Sequence, residues 1–299
     1  MFAVTYARYG DPSVLEVTTV DEPHAGAGEV RIAVRTSAVN PFDWKVRSGL
    51  MKDMVPTTFP AIPGLEAAGV VDEVGDGVEG VTIGDEVYGF GANTSAEFAV
   101  LHHFFSKPAV LSWAQAAGLP VIAETALRAL ELIGPSAGQT LLIDGAAGGV
   151  GSAAAQFAVA DGVTVIGTAS ESNHEFLRSI GVVPTTYGPG LPDRVGALAP
   201  NGVDAALDTA GKGSVKDLIE ITGSPQKVVT IADFGAAALG VNITSATSAY
   251  QALPKAAELA EAGKFTVAID SEFPVSDAAK AHERSQGGHL TGKIILQVS

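Results

Sequence analysis

Thr140-Leu-Leu-Ile-Asp144 is a short apolar run that leads directly into Gly145-Ala-Ala-Gly148-Gly149-Val-Gly151, and Ser152 to Ala160 follows with helical texture. A buried strand, a glycine turn and a helix in that order constrain this chain more than any other feature. The strand must lie inside a sheet, and the helix must return over it at close range. Gly148 allows backbone to approach a diphosphate, and Gly151 allows helix and sheet to pack tightly. The unbonded amides at the helix start face an anion with the positive end of the helix dipole. Ala146 stands where the G-x-G-x-x-G pattern has its first glycine, with Gly145 just ahead of it. A merely tight strand–helix turn is the competing reading.

The chain around this turn has two textures. From Met1 to about residue 110, apolar residues come in short, often alternating runs (Val30-Ile32-Val34, Ala67 to Val74, Glu86-Val87-Tyr88), cut by Gly, Pro and Asp, which reads as many short strands. After Ser112, an expected helix N-cap, Ala-rich helical stretches (Trp113 to Leu119, Ile122 to Leu132, Ser152 to Ala160, Leu253 to Ala262) alternate with compact apolar runs. Those runs are Thr140 to Asp144, Val163 to Thr168, Val203 to Asp208 and Lys227 to Ala232. Four buried strands spaced by helices predict a doubly wound parallel sheet, because parallel strands need crossovers and leave no solvent-facing side. Strand character returns at Phe265 to Ile269 and Lys293 to Val298, and the simplest topology has this tail rejoin the first unit. The expected organisation is an α/β chain with a β-rich domain over 1–112 and 265–299 and an inserted doubly wound domain over 113–264.

Composition narrows the partners. Eighteen basic against 33 acidic residues give a net charge of −15, which disfavours nucleic acid and anionic bilayers. With 46% hydrophobic residues in 299, the chain can bury a large core. The absence of Cys removes disulfides, thiolate zinc sites and thiol nucleophiles, and fits a reducing compartment. The longest uncharged stretch, Phe234 to Pro254, is interrupted by Asn242, Thr244, Ser245, Thr247, Ser248 and Gln251, so no membrane helix is expected. The opening MFAVTYARYGDPSVLEV has no basic-then-apolar leader, and the expected location is cytoplasmic.

The second apolar run of the α/β part ends Thr168-Ala169-Ser170. A site for NAD places Asp or Glu about twenty residues after the glycine turn, where it binds the ribose hydroxyls and repels a 2′-phosphate. Here that position is Ser170, which favours NADPH over NADH. Against this, Glu171 is adjacent and no Arg or Lys lies between residues 169 and 177, so NADH remains the alternative.

Several other segments accompany the turn in order: Ala38-Val-Asn40-Pro41-Phe42-Asp43-Trp44-Lys45-Val-Arg47-Ser-Gly49, Ile62-Pro63-Gly64-Leu65-Glu66-Ala-Ala-Gly69, Gly84-Asp85-Glu-Val-Tyr88-Gly89, Ala117-Gly-Leu-Pro120, Asp208-Thr209-Ala210-Gly211 and Gly292-Lys293-Ile-Ile-Leu. Over almost its whole length the chain resembles zinc-independent members of the medium-chain dehydrogenase/reductase superfamily, in the quinone oxidoreductase branch. The resemblance implies a GroES-like β-rich catalytic domain, an inserted Rossmann domain, and hydride transfer in the cleft between them. Zinc-dependent relatives carry a ligating His in a G-H-E motif; here the motif is Gly64-Leu65-Glu66, and Leu cannot ligate, so no metal is expected.

Carried to this chain, the resemblance puts the NADPH diphosphate over Ala146, Ala147, Gly148, Gly149 and Val150, and the 2′-phosphate near Ser170 and Asn173, with Tyr187 at the adenosine end. Thr209, Ala210, Ile231 and Ala232 flank the nicotinamide, and Asn40, Phe42 and Thr125 line its pocket from the other side. Asn40, Asp43, Lys45 and Tyr88 are the candidates for orienting polar contacts, although Asp43 and Lys45 also read as solvated neighbours and Tyr88 as a strand-core residue. The implied substrates are quinones or α,β-unsaturated carbonyls, which accept hydride through conjugation without a Lewis acid. Two other readings stand beside this one, a non-catalytic NADPH-binding sensor or structural protein and a pathway-specific enoyl-thioester reductase. Relatives also imply a homodimer joined at the Rossmann sheet edge, for which Gly240-Val-Asn-Ile-Thr244 is the β-prone candidate. Gly134-Pro-Ser136-Ala-Gly138 spells a hydrolase nucleophile elbow but follows a helix and precedes a strand, the reverse of the required order.

Overall fold

In a computed structural model describing residues 1–244 and 248–299, the chain begins with β1 (Phe2–Thr5), β2 (Glu16–Thr19), β3 (Val30–Val39), α1 (Pro41–Arg47), β4 (Glu66–Val74), β5 (Glu86–Ala92), β6 (Phe98–Ser106) and α2 (Trp113–Ile133). There follow β7 (Thr140–Asp144), α3 (Gly149–Ala160), β8 (Thr164–Thr168), α4 (His174–Ser179), β9 (Val183–Thr185), α5 (Leu191–Leu198), β10 (Ala205–Asp208), α6 (Val215–Thr222), β11 (Val228–Thr230), β12 (Asn242–Ile243) and α7 (Ala252–Glu261). The tail adds β13 (Ile269–Pro274), α8 (Ala278–Gly287) and β14 (Lys293–Gln297). Ser245 and Thr247, two of the polar residues that interrupt the uncharged stretch, lie outside the described residues. Contacts divide the chain into one unit of Met1–Val121 with Val267–Ser299 and another of Ile122–Thr266.

The second unit holds a six-stranded sheet in the order β12-β11-β10-β7-β8-β9, with every neighbouring pair parallel. Counted along the unit, this is the 3-2-1-4-5-6 order of a doubly wound sheet, and the order reverses between β7 and β10. Helices cover the strands, and Leu142, Ile166, Ala206 and Val228 of the sheet pack with Leu191, Val195, Val215 and Leu218 of the helices. Six strands stand where four were expected. β12 lies within the β-prone Gly240 to Thr244 segment at the sheet edge, and β9 spans three residues around Pro184, too short to show as an apolar run.

In the first unit β3, β4, β5 and β6 pair antiparallel in succession and β6 returns to β3, closing a small barrel. Val30, Ile32, Val34, Ala67, Val71, Val87, Ala99 and Leu101 fill it. β14 pairs antiparallel with the far end of β3, so the tail does rejoin the first unit. Its first strand starts at Ile269 rather than Phe265. Phe265 is buried against Phe157, and the Thr266 backbone is satisfied by a side chain: its amide donates to Gln156 Oε1 at 2.8 Å and its carbonyl accepts from Gln156 Nε2 at 3.1 Å. A glutamine thus does the work of a neighbouring strand.

Trp113 to Leu119 and Ile122 to Leu132 form one helix with Pro120 inside it, not two. Proline has no amide and its ring displaces the carbonyl one turn back, which normally ends a helix. Here the next amide, that of Val121, donates to the buried Glu66 Oε2 at 2.7 Å, so the break is satisfied from outside the helix.

Candidate active site

The turn after β7 stands at the reversal point of the parallel sheet, where ligands of such sheets bind outside the carboxyl ends of the strands. Gly148 is the N-cap of α3 and, having no side chain, supplies no cap to the first amides. The amide of Gly148 itself bonds to Gly145 O, and helical bonding begins with Ser152 N to Gly148 O. The amides of Gly149, Val150 and Gly151 therefore lack helical acceptors, and Gly148 to Val150 are only half-buried. A Cβ at 148 would meet nothing nearer than Gly145 O at 3.4 Å, so the approach to these amides is open. At Gly151 a Cβ would lie 2.3 Å from Gly145 O and 2.9 Å from Ala146 Cα, so only glycine lets α3 close onto the turn. Amides without acceptors at a helix start are the kind of backbone feature that suits an anion.

The loops beside the turn carry the other expected cofactor residues. Ser170 follows β8, half-buried, with its hydroxyl 3.0 Å from that of Ser172. Asn173 ends the same short turn, its amide bonded to Ser170 O. Thr209 and Ala210 follow β10, and Ile231 and Ala232 follow β11, all half-buried at carboxyl strand ends. Tyr187 is half exposed in the loop after β9. Arg194 spans that loop: its two terminal nitrogens donate to the carbonyls of Thr186, Tyr187, Gly188 and Pro189. Thr125 lies in α2 with its hydroxyl toward Glu124. Asp208 is buried; its carboxylate accepts the amides of Ala210 and Gly211 and the Thr230 hydroxyl. Burial pushes its carboxyl up from the usual range, and these donors only partly oppose that.

The first unit concentrates its buried polar groups around Glu66. Glu66 Oε1 accepts from Asn40 Nδ2 at 2.8 Å and from Lys293 Nζ at 2.7 Å, while Lys293 also donates to Asn40 Oδ1. All three residues are buried. Gly118 leaves room for the Lys293 stem against α2, since a Cβ there would lie 3.2 Å from Lys293 Cγ. Asp43, one turn into α1, accepts the Asn40 amide at 2.6 Å. Burial pushes the Asp43 carboxyl up to about 7, with Glu66 adding to the rise and the Asn40 amide and Lys293 ammonium opposing it.

Of the other candidates, Phe42 and Lys45 are half-buried in α1, with the Lys45 ammonium 5.9 Å from the Trp44 ring centre. Tyr88 is wholly buried in β5 near Phe105, and burial raises its phenol. The structure thus brings Asn40 and Asp43 together, with Lys45 on the same helix and Tyr88 buried in β5. Glu66 and Lys293 had no assigned role from the sequence. The signal available was a charge inside an apolar run in each case, Ile62 to Val71 and Lys293 to Leu296.

Comparison with known proteins agrees with both units. The alcohol dehydrogenase GroES-like domain family matches residues 26–109, and the zinc-binding dehydrogenase family matches residues 190–296. The chain is 32% identical to the chloroplast envelope quinone oxidoreductase homolog of Arabidopsis thaliana, over 99% of this chain and 98% of that one. It is also 32% identical to the NADPH-dependent alkenal/one oxidoreductase of the same plant, over 99% of this chain and 79% of the relative. The solved quinone oxidoreductase from Coxiella burnetii superposes with a TM-score of 0.86 at 28% identity, covering 100% of this chain and 99% of the other. The zinc in one family description does not suit the donors present here. There is no Cys, Leu65 replaces a ligand, and an ammonium occupies the polar centre between Asn40 and Glu66, where it would repel a second cation. A GroES-like barrel, a doubly wound sheet with a glycine turn at its reversal point, and relatives matched over 99% of this chain together place this chain in the medium-chain dehydrogenase/reductase superfamily, among the quinone oxidoreductases.

Proposed function

We propose that the chain is an NADPH-dependent, metal-independent reductase of quinones or α,β-unsaturated carbonyls. The observation that carries this reading is the row of amides without helical acceptors at Gly149, Val150 and Gly151, set at the reversal point of the parallel sheet. The relatives named quinone oxidoreductase and alkenal/one oxidoreductase support it, and Ser170 at the position where an acid would repel a 2′-phosphate supports NADPH.

When bound, NADPH supplies a hydride from its nicotinamide ring. The chain's own part is to hold and orient. The amides at the start of α3 bind the diphosphate, Ser170 and Asn173 meet the adenosine ribose, and Tyr187 covers the adenosine end. Thr209, Ala210, Ile231 and Ala232 bound the nicotinamide half. In the other unit Asn40 is held by Glu66 and Lys293 through its side chain and by Asp43 through its amide. Quinones and enones need no Lewis acid, because conjugation spreads the arriving charge.

Steady-state oxidation of NADPH with 1,4-benzoquinone and with a panel of enones tests the reading. Turnover well above the acceptor-free control supports it, and no turnover with any acceptor contradicts it. Binding of NADPH without turnover is the result that fits the sensor reading instead. We also propose a homodimer through the edge strand β12, checked by light scattering on the purified protein, where a monomer mass contradicts it.

A further inference from the structure

The last residue of β7, Asp144, is a carboxylate buried to 2% exposure just before the glycine turn. Its two oxygens are taken by two different loops. Oδ1 accepts the hydroxyl of Thr168 at the end of β8, and Oδ2 accepts the hydroxyl of Ser214, 2.5 Å away at the start of α6. Thr168 Oγ1, its proton given to Asp144, accepts the Gly145 amide at 3.0 Å. The Asp144 main-chain carbonyl accepts the Thr209 hydroxyl at 2.7 Å. One residue therefore joins the segments that leave β7, β8 and β10, and those are the segments that carry the diphosphate amides, Ser170, and Thr209 with Ala210.

We propose that Asp144 is the positioning residue of the cofactor crevice: its carboxylate fixes the three loops relative to one another and so sets cofactor affinity. The residue type matters for a chemical reason. Two hydroxyls each give their single proton to a common acceptor, which an aliphatic side chain cannot provide. Hydroxyl donors to a buried charged acceptor are among the stronger hydrogen bonds, and leaving such an acceptor or donor unpaired is costly. Asn retains the arrangement, because its Oδ1 accepts from Thr168 while its Nδ2 donates to a Ser214 hydroxyl that can turn.

The inference rests on the reading that this crevice holds NADPH, and its test separates the two. In Ser214→Ala only the carboxylate's tie to the third loop is cut, and the Thr209 bond to the Asp144 carbonyl stays. The expected result is a Kd and KM for NADPH raised about fivefold, a loss of about 1 kcal/mol, with kcat at saturating cofactor unchanged. Amide hydrogen exchange in cofactor-free protein is expected to speed up in segments 145–150 and 209–214 and nowhere else in the described residues. Asp144→Leu extends both effects, and Asp144→Asn restores them to within about twofold of the natural protein. Ser214→Ala with unchanged exchange at both segments overturns the proposal whether or not Asp144→Leu folds, as does Asp144→Asn behaving like Asp144→Leu. If the natural protein binds neither nicotinamide coenzyme, the functional reading fails while the exchange result still decides the role of Asp144.

Discussion

The turn at Gly145 to Gly151 presents backbone amides, whereas the centre around Glu66 is assembled from side chains that lie far apart in sequence. The first uses residues six apart and is sensitive to any added Cβ at Gly151 but indifferent to most side-chain chemistry around it. The second joins Asn40, Glu66 and Lys293, with the Asn40 to Lys293 contact spanning 253 residues of sequence, and depends wholly on which side chains are present. Backbone sites bind by geometry and are written in glycine spacing. Side-chain centres bind by charge and are written in the fold.

The largest effect that sharpens this contrast is expected at Lys293. Lys293→Met leaves Glu66 charged and unpaired in the interior, a loss of about 3–5 kcal/mol in unfolding free energy by chemical denaturation. The double change Lys293→Met with Glu66→Gln removes the buried charge yet keeps an acceptor for the Val121 amide and for Asn40, and it is expected to recover most of that loss. If the backbone turn is independent of this centre, the folded fraction of Lys293→Met still binds NADPH normally; a weakened Kd breaks the separation of the two regions.

A smaller effect is expected at the adenosine end. Ser170→Asp places a carboxylate where the 2′-phosphate is proposed to lie, and it should turn the coenzyme preference toward NADH by about tenfold or more, roughly 1.4 kcal/mol. The ratio of kcat/KM for the two coenzymes measures it, and an unchanged ratio places the phosphate elsewhere.

These two predictions also mark what the sequence made legible. The run Thr140 to Asp144 and the glycines behind it are local, and the strand, turn and helix lie where that pattern put them. β12 falls inside the β-prone Gly240 to Thr244 segment, whereas β9 was hidden because three residues around a proline cannot show a period, and the single α2 helix was hidden because Pro120 is compensated by Glu66, 54 positions earlier in sequence. The same long-range dependence hid the partnership of Glu66 with Lys293. Asp144 belonged to the recognised motif, yet its ties to Thr168 and Ser214 depend on the sheet order β8-β7-β10, which apolar runs do not encode.

A further expected effect is on pH dependence. The Asp43 carboxyl is pushed up to about 7 in the folded chain from an ordinary value of 3.8, so the fold favours its protonated form. That contribution to stability is complete below about pH 4 and is lost as pH rises to about 7. Asp43→Asn should flatten the fall in stability across this window, followed by denaturant midpoints at several pH values. An identical slope in both proteins assigns the dependence to another group. His282 works in the opposite sense: burial, aided by the Arg47 charge, holds its pKa down to about 3, so its neutral form stabilises the fold above about pH 6.5 and that stability is lost as pH falls toward 3.

The most direct test follows the backbone amide resonances of the cofactor-free protein while NADPH is added. Large, saturable shifts at Gly149, Val150 and Gly151, with Ser170 and Thr209 moving alongside, are the expected result. Saturation that leaves those three amides unmoved, or no saturable change anywhere, would contradict a diphosphate cradle at the start of α3.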